Sequence, residues 1–258
     1  MNYLHAITLG IVEGMTEFLP ISSTAHLIIV SKLLRLPSSD FQKFFEVFIQ
    51  SGAILAIILI YFEYILKHKE ILKKIGLSFI PTAIIGFLLY KVIKTIFFES
   101  GILIIMAMFS VGILFFVLEY FISSKKISLT RSLNGLTFAQ AVFIGLAQSL
   151  AVVPGVSRSG IVMLYMMLVG YKRDEAALYS FLLAAPTIIA ASGYDLFKMR
   201  HIFNDSIHYL PLLLVGLITS FLVAYVVIKW FIGFLKNNSL VPFGIYRVVL
   251  AIILLFIR

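Results

Sequence analysis

Six apolar runs, near 44–66, 76–97, 101–122, 175–197, 209–232 and 241–257, are each long enough to cross a bilayer, which takes about 20 residues as a helix. Every backbone N–H and C=O inside lipid must be satisfied internally, so only helices and closed barrels are open to such a chain. The runs are continuous rather than alternating, which favours a helix bundle over a barrel. Composition agrees: 61% of the 258 residues are hydrophobic and 13% charged, against roughly 45–50% and 25% in a soluble domain. The expected fold is an all-α integral membrane protein.

Two further apolar regions are interrupted. Residues 4–35 carry Glu13, Glu17, Pro20 and His26, and residues 137–171 carry Pro154, Gly155, Ser157, Arg158, Ser159 and Gly160. The pieces are too short to cross, and broken helix at membrane depth persists only where protein buries it or water reaches it. Both regions therefore read as re-entrant helical hairpins. They also resemble each other. GIVEGMTEFLPISS (10–23) and GLAQSLAVVPGVSRS (145–159) each place Glu13 or Gln148 three residues after a glycine, then a proline and a serine pair. FIPTAIIGF (79–87) and YLPLLLVGL (209–217) share the spacing of Pro81 to Gly86 and Pro211 to Gly216. Each half then holds one hairpin and three spans, and an odd number of spans sends the halves in from opposite sides. The expectation is six transmembrane helices plus two re-entrant hairpins in an inverted-topology repeat, with a site at the repeat interface. It forms a single membrane domain, 1–258, with halves roughly 1–122 and 137–258 joined by a basic cytoplasmic loop, 123–136.

The formal net charge of +9 comes from basic residues scattered between apolar segments, so it reads as topology signal and attraction to anionic lipid, not as a nucleic-acid footprint. Lys67, Lys69, Lys73, Lys74, Lys125, Lys126, Arg131, Lys229 and Lys236 fall on one side, against Lys91, Lys94, Lys198 and Arg200 on the other. This puts both termini outside, and the first hairpin dips in from the outer face. With no cysteines, disulfides and thiolate metal sites are excluded. The first residues lack the basic region and small-residue cleavage site of a signal peptide, so none is expected. Glu119 is expected to be solvated near a cytoplasmic end, and Arg247 to form a pair or touch a lipid headgroup.

The chemistry concentrates in the two hairpins. Glu13 and Glu17 lie one turn apart on one helical face. Two such carboxylates in a low-dielectric site either share a proton or bind a cation, and hard oxygen ligands suit Mg²⁺ or Ca²⁺ beside phosphate oxygens. In PGVSRSG, Gly155 and Gly160 free the backbone to form an anion-binding nest, Ser157 and Ser159 add hydroxyls, and Arg158 adds a fork for phosphate oxygens. Arg158 can equally answer the glutamates until a ligand arrives. Ser22, Ser23, Thr24 and His26 follow Pro20. Ser23 three residues from His26 suits a nucleophile beside a general base, or the hydroxyls cap the restarting helix. Glu46 and Gln50 share a face of the first span that could line the same cavity.

These residues resemble the bacterial undecaprenyl-diphosphatase family, also called the bacitracin-resistance family. The likeness runs nearly end to end, through VEGMTEFLPISSTAHL (12–27), FEVFIQSGAILA (45–56), PGVSRSG (154–160), SFLLAAP (180–186) and PFGIYR (242–247). The family's Glu-x-x-x-Glu motif falls on Glu13 and Glu17, its Pro-Gly-x-Ser-Arg-Ser motif on Pro154 to Ser159, and its essential histidine on His26. A threonine usual in the family is here Val162, so one hydroxyl contact to phosphate is absent or supplied elsewhere, as by Ser159. The resemblance implies hydrolysis of undecaprenyl diphosphate to undecaprenyl phosphate and inorganic phosphate. That reaction recycles the lipid carrier of cell-wall synthesis at the outer face of the bacterial cytoplasmic membrane, confers bacitracin resistance and depends on a divalent cation. The expected catalytic set is Glu13, Glu17, Ser23, His26 and Arg158. Ser22, Thr24, Gly155, Ser157, Ser159, Gly160 and Gln50 would bind substrate, and Glu13 and Glu17 the metal. Either Ser23 attacks phosphorus with His26 handling the proton, or His26 or Glu17 activates water. The expected partners are a polyprenyl diphosphate lipid, membrane lipids and a second copy in a homodimer. Transport or flipping of a phosphorylated lipid is the competing reading, since inverted repeats with broken helices also build transporters.

Overall fold

The computed structural model describes residues 1–37, 39–97, 100–198 and 209–257, the side chains of Lys94, Leu196 and Ile257 excepted. Arg200, counted above among the outer basic residues, lies outside them. The described residues are helical, with one isolated bridge between Arg131 and Tyr171 and no strand. The first half runs α1 (Tyr3–Thr16), α2 (Ser23–Leu33), α3 (Asp40–Ile60), α4 (Phe62–Lys67), α5 (Lys69–Val92) and α6 (Gly101–Ser123). The second runs α7 (Phe138–Ser149), α8 (Arg158–Leu168), α9 (Arg173–Lys198), α10 (Leu210–Asn237) and α11 (Val241–Ile257).

Among the described residues, five helices are long and apolar enough to cross a membrane: α3, α5, α6, α9 and α10. At 17 residues, α11 is shorter than these. The expected span 44–66 is broken at Tyr61, whose backbone (φ −107°, ψ 18°) leaves the helical region and turns the chain into α4. The next helix starts at Lys69 rather than near 76, carrying its lysines into the first turns, and relaxes into a π-helical turn at Ile93–Phe97. Large side chains such as Leu88, Leu222, Val226 and Phe256 stand exposed on the outer faces, an inside-out pattern suited to lipid.

The packing pairs the hairpins with distant spans. Helix α1 lies against α10, α7 lies against α5, and α6 lies against α11. Small residues permit this closeness: a Cβ on Gly14 would come within 2.6 Å of the Ser220 carbonyl oxygen, and one on Gly145 would strike the Ser78 carbonyl. Both hairpins restart their second helix in the same way. Ser22 caps α2 and Ser157 caps α8, each at a positive φ (75° and 73°) uncommon for a non-glycine residue.

The loop after α6 folds back, with the Arg131 N–H donating to Gly170 O (2.9 Å) and the Lys172 N–H to Arg131 O (3.1 Å). The end of α8 thus lies on the same side as that basic loop. Glu119 departs from the solvated position expected of it. It is buried, pairs with Arg173 and accepts from the Leu240 N–H at 2.8 Å. A carboxylate next to an unfinished helix start is stabilised by the N–H groups presented there.

Candidate active site

The first elbow starts where α1 runs out. Glu17 keeps helical dihedrals as the residue capping α1, and its N–H donates to Glu13 O at 2.9 Å. Both glutamates therefore stay on one track, as their spacing predicts. Pro20 then prevents continuation, and Ser22 turns the chain into α2. In the second elbow a 3₁₀ turn at Leu150–Val152 leads to Pro154. Gly155 follows at φ +98°, a left-handed conformation that favours glycine.

The elbows are joined through side chains. The Glu17 carboxylate accepts from the Arg158 guanidinium on one oxygen and from the Ser23 hydroxyl on the other. Arg158 also donates to Ala184 O on α9 at 3.3 Å, and Ser159 Oγ donates to Leu19 O at 3.0 Å. A cavity of about 560 Å³ opens at this junction. Its wall carries Glu17, Ser22, Ser23 and Thr24 from one elbow, Gly155, Ser157 and Arg158 from the other, and Gln50 from α3. The N-termini of two helices, α2 and α8, border this cavity, and their dipoles favour an anion.

Other expected site residues lie behind this wall. Glu13 is fully buried and neither carboxylate oxygen has a hydrogen-bond partner. The charged groups acting on it are Glu17, Arg158 and Glu46. Glu46 itself accepts from Ser31 at 2.7 Å and from Gln42 at 2.8 Å. Ser159 is buried and ties the elbows together. The Gly160 N–H donates to Ser157 Oγ at 3.2 Å, so this amide is taken up by the Ser157 cap of α8 rather than contributing to a nest. The helix begins at Arg158, and Gly160 is already within it. Val162 is buried in the apolar core, so the family's threonine would not line the cavity at this position.

His26 has both ring nitrogens engaged. Nδ1 lies 2.7 Å from Ser22 O and Nε2 lies 2.6 Å from Tyr246 Oη, with the two rings stacked at 5.6 Å. A carbonyl only accepts, so Nδ1 carries a hydrogen and donates to Ser22 O, while Nε2 shares a hydrogen bond with the tyrosine hydroxyl. Ser23 meets Glu17, not His26.

Several polar residues at the site escaped the sequence reading. Gln148 Nε2 donates to Thr82 Oγ1 (2.9 Å) and Thr187 Oγ1 (3.2 Å), and all three line the cavity. The signal was present: each threonine follows a mid-span proline, Pro81 or Pro186, and Gln148 stands where the other hairpin has Glu13. Arg247, expected to form a pair or meet a headgroup, does neither. It is fully buried and donates to the carbonyls of Met108 (3.2 Å), Pro20 (3.1 Å) and Val156 (3.2 Å), with a further bond to Gly155 O. One guanidinium thus satisfies carbonyls of both elbows and of α6. Arg247→Lys keeps the charge but loses the fork, leaving buried carbonyls unpaired at about 1–3 kcal/mol each. The expected outcome is a lower unfolding temperature in detergent together with a lower turnover.

Among the described residues no cluster of three or more His, Asp or Glu side chains could form a metal site from protein alone. The oxygen donors near the junction are Glu17 on the wall, Glu13 buried behind it and the oxygens of an anionic ligand.

A family model described as Bacitracin resistance protein BacA matches residues 6–253. An undecaprenyl-diphosphatase of Persephonella marina is 46% identical over 255 residues, covering 99% of this chain and 98% of its own length. Those of Wolinella succinogenes and Aquifex aeolicus are each 44% identical, covering 99% and 98% of this chain and 98% and 97% of their own lengths.

Proposed function

The chain belongs to the bacitracin resistance protein BacA family, and on that footing we propose that it is a membrane phosphatase that hydrolyses undecaprenyl diphosphate to undecaprenyl phosphate and inorganic phosphate. The observation that carries the proposal is the Glu17 carboxylate, bonded at once to the Ser23 hydroxyl and the Arg158 guanidinium on the wall of a cavity. Phosphoryl transfer needs chiefly positioning and charge stabilisation. Arg158 and the N-termini of α2 and α8 supply the positive field for a diphosphate. Ser23 Oγ attacks the terminal phosphorus as the bridging P–O bond breaks, undecaprenyl phosphate leaves with the electron pair, and the serine proton passes to Glu17. Water then attacks the phosphoserine, Ser23 regains its proton from Glu17, and inorganic phosphate departs with both protons of the water. His26, held by Ser22 and Tyr246, fixes the start of α2 and thereby positions Ser23.

A divalent cation of the Mg²⁺ or Ca²⁺ type fits the donor set, because Glu13 presents two buried carboxylate oxygens without hydrogen-bond partners. Glu13, behind the wall, and Glu17, on it, would hold it at the edge of the cavity, where it would offset phosphate charge.

The wider arrangement we propose is six spans and two re-entrant hairpins in an inverted-topology repeat, in the bacterial cytoplasmic membrane with the cavity facing outward. Matched helix restarts at Ser22 and Ser157 and the crossed packing of α1 on α10 and α7 on α5 support the repeat. The cavity extends to Tyr90, Ile93 and Asp195, near the C-terminal ends of α5 and α9 and thus on the side poorer in lysine and arginine.

The test is phosphate release from undecaprenyl diphosphate by purified protein in detergent micelles, where transport has no compartment to act across. Release that stops on chelation and returns with Mg²⁺ or Ca²⁺ is expected, with Glu13→Gln needing roughly tenfold or more additional cation. Absence of release in micelles contradicts the proposal.

A further inference from the structure

Gly86 and Gly216 occupy matching places five residues after Pro81 and Pro211, yet their surroundings differ. At Gly216 on α10 a Cβ would lie 2.5 Å from Phe45 and 2.8 Å from Ile49, so the missing side chain lets α3 pack closely. At Gly86 on α5 a Cβ would meet nothing within 4 Å. Glycine weakens a helix interior relative to alanine, and packing gives no reason for one here. What Gly86 faces is the cavity.

The same cavity carries polar groups at both ends and an apolar stretch between them. Arg158 bonds Ala184 O at one end, and Tyr90 Oη donates to Asp195 Oδ1 (2.9 Å) at the other, eleven residues further along α9, or roughly 16 Å at helical rise. Between them one face of α5, formed by Phe79, Ala83, Gly86 and Ile93, confronts Ala190 and Ala191 on α9. Ala83, Gly86, Ala190 and Ala191 line it midway, flanked by the rings of Phe87 and Tyr194, and the passage is continuous with the anion-binding junction.

We propose that this passage holds the isoprene units next to the diphosphate, and that the absent side chain at Gly86 sets the bulk of lipid chain admitted. The inference rests on the prenyl-diphosphatase reading above. A branched isoprenoid chain leaving the phosphates along α5 passes Gly86 about one helical turn beyond Thr82, and a side chain there occupies its path. The phosphate site at Arg158 and Ser23 lies on other elements and is left intact.

The test compares Gly86→Leu with wild type on undecaprenyl diphosphate and on a diphosphate bearing a single isoprene unit. Gly86→Leu is expected to lower kcat/KM for the long substrate about 10–200-fold and to leave the short substrate nearly unaffected, while Gly86→Ala keeps or raises the unfolding temperature. Since the chain has no cysteine, Gly86→Cys introduces a unique thiol. Undecaprenyl phosphate is expected to protect it from maleimide, which decides the matter even if the leucine variant misfolds. Unchanged long-chain kinetics in a folded Gly86→Leu, equal loss on both substrates, or labelling indifferent to undecaprenyl phosphate overturns the inference. A wild-type protein that releases phosphate from neither diphosphate instead defeats the underlying functional reading.

Discussion

Arg158→Ala lowers kcat/KM for undecaprenyl diphosphate by about 10³-fold or more, the scale on which an arginine stabilises transferring phosphoryl groups. The residue has two duties at the junction. It holds Glu17, whose side chain is only 6% exposed, and it provides the cationic fork for phosphate oxygens. Removing it leaves Glu17 without its counter-charge, and breaking a buried pair costs up to about 3–5 kcal/mol. Because this pair borders a cavity, the cost falls at the low end of that range or below it. Unfolding temperature separates the two duties. Arg158→Ala combined with Glu17→Gln recovers stability, since no charge is left stranded, but recovers no activity. Arg158→Lys restores charge without the bidentate fork and regains part of the lost turnover.

Ser23→Ala is the second large effect. The hydroxyl is already in contact with the Glu17 carboxylate, the pairing of nucleophile with base that covalent catalysis requires. Loss of the nucleophile drops turnover by about 10³-fold or more, leaving only what positioning and electrostatics supply. Acid quenching with substrate labelled in the terminal phosphate yields labelled phosphoserine at Ser23 in wild type and none in the variant. Near-normal turnover by Ser23→Ala would end the covalent route and leave water, activated by Glu17, as the attacking group. His26→Ala is milder, since its ring braces Ser22 and Tyr246 without bonding the Ser23 hydroxyl.

Much of this was legible from residue pattern because the bilayer leaves few options. Apolar run length fixes helices, and a proline or polar cluster inside such a run must mark a break that protein or water covers. Glu13 and Glu17 share a face because four residues make about one turn, and Ser22 and Ser157 are caps because hydroxyls satisfy orphan N–H groups. What the pattern left unread depends on three-dimensional approach. The four-residue spacing says nothing of which glutamate reaches the other elbow; Glu17 does, while Glu13 turns into the protein. Arg247 looked like a lipid or ion-pair residue because an arginine in an apolar run usually seeks an opposite charge, whereas here backbone carbonyls freed by two broken helices serve instead. Glu119 sits near a span end, where solvent is the ordinary expectation, and only the fold brings Arg173 and the start of α11 to it. Tyr246 and the Thr82–Gln148–Thr187 group depend likewise on contacts between segments far apart in sequence.

A double-mutant cycle on kcat/KM, built from Glu17→Gln, Arg158→Lys and the pair together, tests most directly whether the two elbows form one catalytic unit. Strong non-additivity is expected, with the double variant losing little more than the worse single one, as residues acting together do. Losses that simply multiply would mean that Glu17 and Arg158 act separately, and would contradict a site assembled where the two hairpins meet.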